Sequence, residues 1–183
     1  MDISKISECG KRIEYKTDDV ICTEGDAGHT AYMLLKGVAR VYVGAVSGNS
    51  REMALLKTGT LFGEMSLLEN MPRTATVIAT SNDVVVLEIG KDDFIELMKT
   101  DNEIAYNLLR MLYTRVENSL EKYKGYIIKL RADILNDEKY QIITKLNQKQ
   151  FADIVSHDAN YAVSLLTYLS HALNKIDKKI TTL

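Results

Sequence analysis

At Gly90 the sequence changes its periodicity, and the two patterns on either side cannot belong to one kind of secondary structure. Before it, short runs rich in β-branched and aromatic residues alternate with glycine-bearing turns: TAYMLL (30–35), VARVYVGAV (38–46), EMALL (52–56), TATVIA (74–79) and DVVVLEI (83–89). Eight of the ten glycines lie between Gly25 and Gly90, as does the single proline, Pro72, so turn chemistry is confined to that half. After Gly90 the apolar residues step by three or four. Ile104, Leu108, Leu112, Val116, Leu120, Tyr123, Ile127, Leu130 and Ile134 share one helical face. Thr100 and Asp101 supply an N-cap with Glu103 in the first turn, and Asn136-Asp137 is the first stop. The spacing therefore predicts one helix of roughly 45 Å at about 1.5 Å per residue. That outruns a small barrel, so its apolar stripe is expected to need a second chain, giving a homodimer through Ile104–Ile134.

The second half carries a further regularity. A shift of 57 residues superposes Phe94 on Phe151, Asp101 on Asp158, Ala105 on Ala162, Leu108-Leu109 on Leu165-Leu166, Leu112 on Leu169 and Lys122 on Lys179, without gaps. Two amphipathic helices with acidic caps produce some of this by composition alone. A partial duplication would produce it too, with Tyr140–Phe151 echoing the strand and turn at Asp83–Phe94.

The residues with chemical content sit between the two patterns, in LFGEMSLLENMPRTAT (61–76). A glycine-led turn enters a short helix, and a loop then returns an arginine and two hydroxyls to the same place. Backbone N–H groups at such a turn, with the positive end of the helix, make a phosphate-sized anion site. The fork of Arg73 can hold two phosphate oxygens at once, which suits a diester. Glu64, next to Gly63, can accept from a sugar hydroxyl.

This segment resembles the phosphate-binding cassette of the cyclic nucleotide-binding domain family, to which the bacterial catabolite activator protein and the regulatory subunits of cAMP-dependent kinase belong. The resemblance spans about Tyr15 to Leu130 and includes EGDAGHTAYMLLKG (24–37) and LKTGTLFGE (56–64). It implies that Glu64 binds the ribose 2′-hydroxyl, that Arg73 binds the cyclic phosphate, and that the backbone of Gly63, Glu64, Met65 and Ser66 completes the cradle, with Thr74 and Ala75 beside it. It also implies that the long helix acts as a lid, with Asn118 and Ser119 placed to read the base. Thr74 occurs in cAMP-binding and cGMP-preferring relatives alike, so the ligand is cAMP or cGMP. The acidic residue common after the glycine of the first turn is replaced by His29-Thr30, a change expected to leave the cassette untouched.

In the activator family a winged helix-turn-helix follows the long helix. Lys149–Leu169 has that rhythm, which keeps a DNA-binding regulator of the Crp/Fnr type as the alternative. Its chemistry speaks against DNA: Asp158–Ser170 contains no lysine or arginine, whereas groove reading relies on basic and amide side chains. The whole chain, with 23 basic and 25 acidic residues, has no global positive field to supply the lack. The scattered His29, His157 and His171 and the two cysteines have no metal-ligand spacing. No nucleophile, P-loop or dinucleotide motif occurs, so neither enzymatic activity nor a cofactor is expected. Two thiols make no disulfide scaffold, and the chain has neither a leader nor a run of about 18 apolar residues, which points to the cytoplasm. The expected fold is α+β: a jelly-roll-like β-roll of about eight strands flanked by helices, a long dimerisation helix and a short helical tail. The expected domains are residues 1–134 and 135–183.

Overall fold

The computed structural model describes residues 9–45 and 47–181; the reading of the N-terminus as leaderless concerns mainly residues 1–8, which lie outside them. The chain divides into two compact units, one ending at Phe94 and one beginning at Ile95.

The first unit is a β-roll. Its strands are β1 (Lys11–Tyr15), β2 (Val20–Cys22), β3 (Thr30–Lys36), β4 (Val38–Val43), β5 (Arg51–Lys57), β6 (Leu61–Phe62), β7 (Thr76–Ala79) and β8 (Val84–Gly90), and a short helix α1 (Glu64–Glu69) separates β6 from β7. They form two antiparallel four-stranded sheets, ordered β1-β8-β3-β6 and β2-β7-β4-β5. The run VVVLEIG makes β8 a central strand, buried on both faces. Val84 and Val86 face the space between the sheets with Tyr32, Leu34, Phe62, Ala39 and Val77. Alternation sends Val85, Leu87 and Ile89 to the other face, where they are buried, as are their β3 neighbours Ala31 and Met33. Each of the buried Val, Leu, Ile and Met side chains contributes about 1.5–3 kcal/mol. The α+β β-roll with eight strands is the fold class read from the sequence.

The second unit is helical: most of α2 (Lys91–Thr100), then α3 (Asn102–Lys122), α4 (Ile128–Leu135), α5 (Glu138–Lys145), α6 (Gln148–His157) and α7 (Ala159–Thr181). Asp101 caps α3 by accepting from the N–H groups of Glu103 and Ile104 at 3.1 and 3.0 Å. Asn147 and Gln150 form a reciprocal capping box on α6. The helix α3 packs on α6 and α7. Between α3 and α6, the rings of Tyr106 and Phe151 lie 5.5 Å apart, and Tyr106 Oη donates to Leu146 O at 3.2 Å.

Three expectations change here. The stripe from Ile104 to Ile134 is not one helix: α3 ends at Lys122, the N–H groups of Tyr126 and Ile127 turn back to Tyr123 O at 2.9 and 3.2 Å, and α4 starts afresh. Gly125, which weakens a helix by about 1 kcal/mol relative to alanine, sits in that turn. The apolar spacing continues across it because Ile127 and Ile134 are buried too.

The stripe is covered within the chain. Ile104, Leu108, Leu112, Val116 and Leu120 are all buried within this one, and α3 packs along α7. The expected short tail contains α7, at 23 residues the longest helix described, and its pairing with α3 explains why the compact units part at Phe94 rather than after Ile134. The echo of a strand at Tyr140–Phe151 is instead the end of α5 and the start of α6.

Candidate functional site

The cassette is assembled from β6, α1 and the loop leading into β7. Gly63 stands between β6 and α1 with φ 74°, a conformation that glycine adopts without strain. A second reason for glycine is contact: a Cβ there would lie 2.6 Å from Arg73 Nη1. The helix α1 then runs only to Glu69. Asn70, at φ 52°, ends it, and Met71 N–H returns to Ser66 O at 3.1 Å. The return loop is pinned to α1 by Ser66 Oγ, which donates to Pro72 O at 3.3 Å. It is pinned to the turn before β3 by Arg73 N–H donating to Asp26 O at 2.7 Å and by Gly25 N–H donating to Arg73 O at 2.9 Å. Gly28 lets these layers close: a Cβ on it would meet Ser66 Cβ at 2.1 Å.

This framework buries a charge. The Arg73 side chain is 6% exposed. Its Nη1 donates to Thr30 O at 2.7 Å and Gly63 O at 2.9 Å, its Nη2 donates to Thr30 Oγ1 at 2.9 Å, and its guanidinium lies 5.0 Å from the centroid of the Tyr32 ring. All three acceptors are uncharged, so the cation is held without being neutralised. Two of the five N–H groups, on Nε and Nη2, take no part in these bonds, and such donors can hold an anion. The carboxylate joined to this hydrogen-bond network is that of Glu88. Its Oε1 accepts from Thr30 Oγ1 at 3.3 Å and from Tyr32 Oη at 3.2 Å, so it reaches Arg73 only through a hydroxyl. Burial raises the pKa of Tyr32 and holds its proton in place.

Gly63, Glu64, Met65, Ser66 and Arg73 are thus brought together. Glu64, Met65 and Ser66 are buried, Glu64 fully, while Thr74 and Ala75 are half-buried on the strand-entry side. Asn118 and Ser119 lie on α3 in the other compact unit, the first exposed and the second half-buried. Thr30 corrects the sequence reading: far from leaving the cassette untouched, it supplies two of the three acceptors of Arg73. Sequence spacing also gave no sign of Tyr32 and Glu88, because their part depends on a β3–β8 register that pairs residues 32 and 88. A buried guanidinium held by uncharged acceptors fits a phosphate group.

Comparison with known proteins agrees with this chemistry. Residues 12–101 match the family model described as cyclic nucleotide-binding domain. The chain is 37% identical over 119 residues to a cAMP-dependent protein kinase regulatory subunit of Hypocrea atroviridis, covering 65% of this chain and 24% of that protein. It is 32% identical over 105 residues to the cyclic AMP receptor protein of Thermus thermophilus, covering 57% and 48%. It therefore spans between about a quarter and a half of these relatives. The crystal structure of the Thermus thermophilus catabolite activator protein superposes with a TM-score of 0.60 at 24% identity, over 94% of this chain and 82% of that one, a likeness of fold.

Proposed function

Residues 12–101 of this chain belong to the cyclic nucleotide-binding domain family, and from that premise we propose that the protein is a sensor that binds cAMP, with cGMP as the competing ligand. The observation that carries this reading is Arg73, buried against three uncharged acceptors with two N–H groups that take no part in those bonds. Both relatives described above are named for cAMP. In this reading Arg73 and the N–H groups of α1 hold the phosphate, and Glu64 takes the ribose hydroxyl. The protein then regulates by binding one of two states more tightly, and the equilibrium moves only by that difference in affinity. The direct test is titration calorimetry with cAMP and with cGMP. Saturable heat with either one is expected, and neither heat nor a thermal shift at millimolar ligand would sink the reading.

The role is regulatory rather than catalytic and works without DNA. Among the described residues the helix-turn-helix candidate is α6–α7. It turns on the single residue Asp158, and the face of α7 bearing Ala162, Leu165, Leu166 and Leu169 is buried. A recognition helix instead needs its first turns free for the groove, with cations for phosphates. Mobility-shift assays with saturating cyclic nucleotide are expected to show no fragment-specific, salt-sensitive complex. Such a complex would promote the Crp/Fnr-type alternative.

A further inference from the structure

The 57-residue shift is reproduced by the fold well beyond the level that composition requires. It carries α2 onto α6 at both ends and the first residue of α3 onto the first residue of α7. Each pair of helices turns on one extended aspartate, Asp101 with ψ 95° and Asp158 with ψ 94°. The N–H of Asp101 donates to Leu97 O at 3.0 Å, and that of Asp158 donates to the equivalent Ile154 O at 3.1 Å. Each aspartate then caps the following helix in the same way, accepting through Oδ1 from Glu103 N–H at 3.1 Å and from Asn160 N–H at 3.0 Å. Five of the identities are buried in both places: Phe94/Phe151, Ala105/Ala162, Leu108/Leu165, Leu109/Leu166 and Leu112/Leu169. Amphipathic helices in general share a spacing. They do not share lengths, a one-residue corner, a cap atom and the identity of their buried residues.

The two long helices are also each other's partners, since α3 packs on α7. Two segments of related sequence that pack on each other are the intrachain counterpart of a contact between two copies of one chain. We propose that α6–α7 is an internal copy of α2–α3, and that α7 fills, within one chain, the seat on α3 that a second copy of this chain would otherwise take. The copies part company toward their ends: Leu120 is buried, while its counterpart Asp177 is not.

Light scattering on the full chain, from low micromolar to the highest soluble concentration, is expected to give the mass of one chain, 20.6 kDa. Amide-exchange protection of α3 is expected not to change over that range. A dimer at any concentration, or protection of α3 that grows with concentration, overturns the proposal. In Leu169→Glu, a charge in the buried face releases α7, and the mass is expected to rise with concentration toward twice the monomer value; a folded variant that stays monomeric overturns it. If Leu169→Glu does not fold, a chain whose residues 159–179 carry the sequence of residues 102–122 decides the matter. A cooperatively folded monomer supports the internal copy, and an unfolded or aggregated chain overturns it.

Discussion

Arg73 holds the turn before α1 to β3 and, in the proposed reading, binds the ligand phosphate, and its replacements separate the two roles. Arg73→Ala removes the cation from the anion site and leaves Thr30 O and Gly63 O without their donor. Cyclic nucleotide affinity is expected to fall by about 2–5 kcal/mol, and stability by about 1–3 kcal/mol. Arg73→Lys restores charge without the fork and is expected to recover only part of the affinity in calorimetry. At Gly63, alanine would have to keep φ near 74° and would crowd Nη1 from 2.6 Å. The strain is about 1–2 kcal/mol, and the displaced guanidinium should weaken binding more than it lowers the melting point, a comparison that thermal denaturation and titration make directly. Gly63, Glu64 and Arg73 were legible because their spacing is local. Thr30 and Glu88 were not, because they reach Arg73 from 43 residues upstream and through a hydroxyl.

For the helices, the apolar period gave faces but not lengths. It ran through the turn at Tyr123–Ile127 because that turn places Ile127 inside as well, so one predicted helix became two. The same limit hid the length of α7, which packs on α3 and adds buried leucines to the core. On α7, Tyr168 has its pKa raised, first by burial and then by the nearby Asp137 carboxylate. An unfolded tyrosine ionises near pH 10. The folded one holds its proton higher, so its contribution is complete below that pH and is lost as the pH rises toward the folded value. Chemical denaturation of Tyr168→Phe is expected to show a smaller loss of stability than the parent across about pH 9 to 11.

At the scale of the whole molecule, the sequence places the change of architecture at Gly90 and the structure divides at Phe94, so the break itself was visible in glycine usage. The compact units part before α3, and α3 packs on α7 within the second of them. Ligand binding is expected to stabilise the folded state by about 2.7 kcal/mol at a hundred times Kd. Calorimetric scans of the Arg73→Ala chain at the same ligand concentration should lose most of that shift. One topological fact reaches beyond the folded state. Among the described residues β1 has β8 as its sole neighbour in the sheet, Lys11 pairing with Glu88 and Tyr15 with Val84. A ribosome that has delivered the first seven strands has therefore made an open sheet whose earliest strand still has nothing to bind, with the edge of β3 bare beside it. Such edges attract other chains. The slow, aggregation-prone interval of this protein's synthesis should close only when the codons for VVVLEIG have been read and the strand has left the exit tunnel.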